Sequence, residues 1–305
     1  MLSFAARRLS ASLLTLFGIT VITFFLARLT GSPALLLLPE GSTPEMFAAF
    51  NHQHGFDRPL PIQFLSFCHD LLRLDLGTSI TEQRPAATVA LEAIPPTLVL
   101  GGTCIAIMLA ISLLLGTLAA LRPFSRTDRT ITLVSLGLSS VPDFWLALVG
   151  VIVFAVWLGW LPTSGQSGLG SWVLPVATLA LPPAGAMIQV VRGAMIEALN
   201  ANYARNARAR GFSLARLAFR HALRNASLPI ITVAGDRAVH MFSGTIIVSA
   251  IFAWPGIGFV LVNSVMTRDF PLLQASIFIV GLLVIGINIL IDLIYGVADP
   301  RLRVS

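Results

Sequence analysis

Residues 95–121 read PPTLVLGGTCIAIMLAISLLLGTLAAL, 27 residues without a formal charge. As a helix this run is about 40 Å long, more than the ~30 Å hydrocarbon core of a bilayer, so it predicts a membrane-spanning helix. Further apolar windows lie on either side of it, at 10–29, 131–159, 173–191, 229–253 and 273–295. The window at 173–191 is the shortest. Its Pro175, Pro182 and Pro183 remove backbone donors and predict a kink or a local opening. The expected fold is all-α and polytopic, with six transmembrane helices. Its parts are an N-terminal transmembrane helix (1–30), an external segment (31–94), a core (95–295) with a long internal loop at 192–228, and a C-terminal tail (296–305).

Composition agrees. Of 305 residues, 56% are hydrophobic and 11% are charged, where a soluble domain carries about 25% charged residues. The N-terminal Arg7 and Arg8 precede an apolar run with no small-residue cleavage site, which predicts a retained first helix rather than a removed leader. Two cysteines, Cys68 and Cys104, are too few for a disulfide scaffold. The net charge of +6 comes without zinc-finger spacing or aromatic-basic interleaving, so no nucleic-acid partner is expected. All 20 basic residues are arginine, and 14 of them fall in the N-terminus, the 122–130 and 192–228 segments and the C-terminus. By the positive-inside rule these segments are cytoplasmic, with both termini inside.

Two segments exceed the length of simple connectors. The external one contains Ile62-Gln63-Phe64-Leu65-Ser66-Phe67, then Leu71 and Leu72, a stretch suited either to the membrane surface or to a cap over helix ends. In the internal one, Met195 to Arg210 lacks Pro and Gly and predicts a helix; Gly211 interrupts it and Ser213 is placed to cap the next. Arg216, Arg220 and Arg224 then recur every four residues along one face. That stripe suits an acidic partner, anionic head groups or a plain topology signal, and spacing alone does not choose.

Without lysine the chain cannot form the Gly-x-x-x-x-Gly-Lys-Ser/Thr phosphate loop, so energy must come from a partner or an ion gradient. Catalytic spacings such as HExxH, GxSxG and CxxC are absent, which counts against a polytopic enzyme. A secondary transporter would show two related broken-helix halves, and none is visible. No catalytic, cofactor-binding or metal-binding residue is expected. Charged groups inside a span are costly and do not face lipid. Asp236 and Arg237, with His240 on nearly their helical face, and Asp143 after Pro142 therefore suit either a translocation pathway or structural pairing. Trp254-Pro255-Gly256 ends the fifth window with an aromatic expected at the bilayer boundary and a turn, suited to an external gate or a rigid cap.

The stretch Tyr203-Ala204-Arg205-Asn206-Ala207-Arg208-Ala209-Arg210-Gly211-Phe212-Ser213, followed by Arg220-His221-Ala222-Leu223-Arg224-Asn225-Ala226 and Leu228-Pro229, resembles the coupling-loop signature of bacterial ABC importer permeases. The branch it resembles is the first permease subunit of dipeptide, oligopeptide, nickel and glutathione importers. Gly55-Phe56-Asp57-Arg58-Pro59-Leu60-Pro61, Asp75-Leu76-Gly77-Thr78-Ser79, Ser140-Val141-Pro142-Asp143-Phe144, Leu161-Pro162-Thr163-Ser164-Gly165, Phe252-Ala253-Trp254-Pro255-Gly256-Ile257-Gly258 and the terminal Asp299-Pro300-Arg301 agree in order. Ser249 departs from the family, where a Glu is usual, and Asp236-Arg237 occupy a region normally less charged.

The resemblance implies a type I importer permease in the bacterial inner membrane that forms half of a translocation pathway for peptides, with nickel complexes or glutathione as alternatives. It implies a second homologous permease, two cytosolic ATPases carrying ATP and Mg2+, and a periplasmic substrate-binding protein. In that setting Ala204, Ala207 and Ala209 would permit close approach to an ATPase groove, Arg208 and Arg210 would meet carboxylates, and Gly211 would allow a sharp exit.

Overall fold

The apolar runs fold as helices because each satisfies its own backbone groups, which a bilayer core requires. The computed structural model describes residues 2–29 and 31–298. In chain order the helices are α1 (Leu2–Leu29), α2 (Ala34–Leu37), α3 (Pro44–Gln53), α4 (Leu60–Leu72), α5 (Ala86–Glu92), α6 (Ile94–Leu121) and α7 (Arg126–Ser139). Next come α8 (Asp143–Gly150), a π-helical segment Val151–Trp157, α9 (Gly170–Asn200), α10 (Asn202–Ala209) and α11 (Leu214–Leu217). A second π-helical turn, Ala218–Ala222, leads into α12 (Leu223–Ile251), followed by α13 (Ile257–Met266) and α14 (Phe270–Ala298). The Asp299-Pro300-Arg301 motif and the rest of the expected tail lie outside the described residues.

Two compact units result, one from the described residues up to Pro96 with Pro255–Gly286, the other from Thr97–Trp254 with the part of α14 from Ile287. In the first, Phe24 of α1 is fully buried and packs on Phe64 and Phe67 of α4, with ring centroids 5.2 and 5.1 Å apart. α14 crosses α1 so closely that a Cβ on Gly281 would fall 2.3 Å from Leu16 Cδ1, so a larger residue there would require the leucine to turn aside. The small residues Ala86, Ala90 and Ala93 let Ile257, Leu272 and Ile279 pack against them.

The second unit is built around α9. Its Gly185 lies against the backbone of α7, where a Cβ would meet the Ser135 carbonyl at 2.4 Å, and Gly116 of α6 meets Val191 in the same manner. Leu100, Met108, Leu179, Met241, Val248 and Trp254 fill the core between α6, α9 and α12.

Four described helices are long and apolar enough to cross a membrane: Ser10–Leu29, Ala86–Leu121, Gly170–Asn200 and Phe270–Ile291. Three differences from the sequence reading have physical causes. The window at 131–159 is not one straight span: α7 and α8 meet at 95°, because Pro142 forces extended geometry between them. Counted as one bent span, they make five rather than the expected six. The window at 173–191 is not short or broken. It is a continuous 31-residue helix with Pro175, Pro182 and Pro183 inside it, held by neighbours on several sides. α12, the remaining expected span, has 29 residues, but Asp236, Arg237 and His240 leave it short of the same apolar standard.

Candidate functional site

The 192–228 segment is a loop only in its middle, since residues 192–200 continue α9 and α12 begins at Leu223. The helix expected from Met195 to Arg210 breaks at Ala201, whose extended conformation (φ −65°, ψ 157°) starts α10 as a separate helix. α10 ends as the glycine predicts. Gly211 takes φ +80°, its N–H donates to the Arg208 carbonyl at 2.9 Å, and the Phe212 N–H donates to the Ala207 carbonyl at 3.2 Å. Ser213 then caps α11, its Oγ accepting the Arg216 N–H.

This short helix is fixed on one side and open on the other. Ala204 is fully buried beside Met195, Leu217, Ala218 and Ala222, with Ala207 packed at the edge. Arg208 donates a terminal N–H to the Leu199 carbonyl, fastening α10 to the last turn of α9. The Phe212 ring stands edge-on to His221 at 5.7 Å. Tyr203, Arg205, Ala209, Arg210 and Phe212 are exposed. Arg216, Arg220 and Arg224 are exposed too, opposite a buried row of Ala218, Ala222, Ala226 and Ile230. The π-helical turn keeps this four-residue spacing in register by adding one residue to the turn. From Ala198 to Gly235 there is no acidic residue, so the exposed surface carries a single sign of charge.

Of the four polar residues grouped from sequence, Asp236, Arg237 and His240 lie on α12 and Asp143 on α8. Asp236, His240 and Gly244 recur every four residues on one face. Asp236 and His240 side chains are 65% and 72% exposed, and His240 Nε2 lies 3.8 Å from Asp236 Oδ1. Asp143, the first residue of α8 after the bend, reaches the same strip: its Oδ2 lies 3.5 Å from where a Cβ on Gly244 would be. Three of the four residues grouped from sequence thus line about two turns of one helix face. Arg237 turns inward instead, and its Nε is buried without a hydrogen-bond partner.

Trp254 lies three residues past the end of α12. It is fully buried, edge-on to Trp172 with ring centroids 4.6 Å apart, and the neighbouring Phe252 carbonyl accepts the Gly165 N–H at 2.8 Å. Pro255 is exposed, and Gly256 is the extended residue before α13.

Two buried carboxylates escaped the sequence reading. Asp128, 3% exposed in its side chain, takes a two-point contact from Arg192, Nε to Oδ1 at 2.5 Å and a terminal N–H to Oδ2 at 2.7 Å. It also accepts the Phe124 N–H and receives the Ser125 cap on its own N–H. The Ser-x-x-Asp spacing at 125–128 signals such a capped helix start, but nothing local identifies Arg192 as the partner. In the first unit, fully buried Asp269 begins α14 and accepts from Ser79 Oγ (2.6 Å), Thr81 Oγ1 (2.7 Å) and the Thr81 and Leu272 N–H groups. That network ties the Asp75-Leu76-Gly77-Thr78-Ser79 stretch to a helix end.

Comparison with known proteins follows the same lines. Residues 112–304 match the family described as binding-protein-dependent transport system inner membrane component, and residues 1–101 match its N-terminal companion. The chain is similar to the di/tripeptide transport system permease protein DppB of Pseudomonas aeruginosa (strain UCBPP-PA14), 37% identical over 99% of both chains. It is 33% identical to the oligopeptide transport system permease protein AppB of Bacillus subtilis (strain 168), over 99% of this chain and all of the relative. It is 34% identical to the oligopeptide transport system permease protein OppB of Haemophilus influenzae (strain ATCC 51907 / DSM 11121 / KW20 / Rd), with the same coverage. Among solved structures, a chain of the MetNI methionine ABC transporter in inward-facing conformations superposes with a TM-score of 0.59 at 16% identity, over 69% of this chain and 96% of that one. That likeness speaks to fold alone.

Proposed function

Because the chain belongs to the family of binding-protein-dependent transport system inner membrane components, we propose that it forms half of the pathway by which di- or oligopeptides enter the bacterial cell. It is a multi-pass membrane permease subunit. The observation that carries the reading is α10: a short helix with exposed cations and two exposed aromatics, fastened to the end of a long core helix. Two cytosolic ATPases, binding ATP and Mg2+, would press on that surface. Ala204 and Ala207 transmit the load because they are packed, and the Arg208–Leu199 bond passes it to α9.

A second, homologous permease would face α12, and a periplasmic binding protein would deliver the peptide. Asp236 and His240 lie open on a helix of membrane-spanning length, which fits a face turned to that pathway rather than to lipid. Taking α12 as a span restores six passes, and the arginine distribution then sets both termini in the cytoplasm.

The test is reconstitution with the second permease, the ATPases and the binding protein, followed by ATP-dependent uptake of a labelled di- and tripeptide panel. Uptake of at least one peptide is expected. An assembled complex that hydrolyses ATP but takes up none of the panel would move the substrate to glutathione or nickel complexes. A chain that assembles with no ATPase would overturn the import reading.

A further inference from the structure

The first unit contains a cavity of about 230 Å3 between the last turn of α1, one face of α4, the turn before α5 and the start of α14. Arg28, Arg58, Asp70 and Asp75 all line it. The described ion pairs of this unit are His52–Asp57 and Arg84–Glu92, so none of these four residues is in a described ion pair, although Arg58 acts electrostatically on its neighbour Asp57. Two cations and two anions around one space, three of them (Arg58, Asp70 and Asp75) at exposed residues open to an incoming molecule, are complementary to a ligand that carries both signs.

The individual groups support this. Arg28 is held in place by Gln63 Oε1 at 2.7 Å and by the Phe24 ring, 3.4 Å from its guanidinium carbon. Arg58 lies across Gly55, and its guanidinium has no hydrogen bond among the described residues. Asp75 uses Oδ1 on the Gly77 N–H, and Asp70 has only a long contact of 3.5 Å with Ser66 Oγ. Gln274, 7% exposed, also lines the cavity, and its Nε2 is buried with no hydrogen-bond partner. A buried amide donor without an acceptor is unfavourable, and a ligand oxyanion would satisfy it. Phe56, Phe67 and Phe270 supply apolar walls.

We propose that this cavity binds a small zwitterion, its oxyanion facing Arg58 and Gln274 and its primary ammonium facing Asp70 and Asp75. Two sources carry that chemistry: the termini of a free short peptide and the ethanolamine-phosphate head group of a phospholipid. The site is separate from the α12 strip and does not depend on it.

The importer complex, purified without its binding protein, is offered phosphatidylethanolamine against phosphatidylglycerol, and Ala-Phe against N-acetyl-Ala-Phe-amide, with retention read by native mass spectrometry. At least one zwitterion is expected to be retained over its counterpart by about fivefold or more, the scale of one or two net hydrogen bonds. Gln274→Leu and Arg58→Gln should each bring that preference close to unity while ATP hydrolysis is unchanged. Loss confined to phosphatidylethanolamine assigns a lipid, and loss confined to Ala-Phe assigns a peptide. Should Gln274→Leu not fold, Arg58→Gln, at an exposed side chain, decides alone. Equal retention of charged and counterpart probes, or a preference that survives the substitutions, overturns the proposal.

Discussion

Asp128 and Asp236 are both carboxylates on helices of the second unit, and the fold treats them oppositely. Asp128 is almost fully enclosed and held at two points by Arg192; Asp236 is 65% exposed, and its described ion-pair partner is His240 at 3.8 Å. Asp128 is satisfied where it is buried, because an unpaired buried ion costs several kcal/mol. The same contrast runs through α10, whose Arg208 is spent on the Leu199 carbonyl while Arg205 and Arg210 stay free. Internal fastening and outward readiness are divided among residues a few positions apart.

The sharpest way to break that division is at the hinge between the fixed and the free residues. Gly211→Val places a β-branched side chain at φ +80°, a strain of about 2 kcal/mol or more. ATP-dependent uptake is expected to fall more than tenfold, checked in reconstituted vesicles.

Arg192→Ala comes next. Leaving Asp128 buried and unpaired should cost about 3 kcal/mol, seen as a lowered Tm, and the double change Asp128→Leu with Arg192→Met should recover most of the loss.

Asp236→Asn is the counterpart. Stability should hold because the side chain is exposed, while uptake drops severalfold. A lost Tm or failed assembly would instead make Asp236 a structural residue like Asp128.

The smallest effect is expected at Asp57 in the external segment, where the hydrogen bond from His52 at 2.9 Å holds the carboxyl below its usual range. With its folded value depressed, its contribution is present above about pH 3.9 and is lost as pH falls through the lower folded value. Hydrogen exchange across α3 should therefore be alike in wild type and Asp57→Asn at the acid end, and slightly faster in the variant at neutral pH.

Local signals were legible in the sequence and distant pairings were not. Gly211 and Ser213 announce the end of α10 and the start of α11, because capping depends on neighbours within a few residues. Pro142 announces a break, but not a 95° bend that brings Asp143 against Gly244. The three prolines of α9 read as a weak point, yet its neighbours hold it continuous. Arg192 looked like a topology signal, since its partner is 64 residues away. No local signal marks Asp269 as buried, since its partner, the hydroxyl of Ser79, lies 190 residues away. The break at Ala201 and the π-helical turn at Ala218–Ala222 carry no Pro or Gly that would flag them.

The most direct test of the account is charge reversal on the open side of α10. Arg205→Glu combined with Arg210→Glu leaves Ala204, Arg208 and Gly211 untouched, and peptide uptake and ATP hydrolysis are measured together in the reconstituted importer. The account predicts that uptake falls more than tenfold, through weakened ATPase docking or through hydrolysis no longer tied to transport. Uptake at the wild-type rate would contradict it.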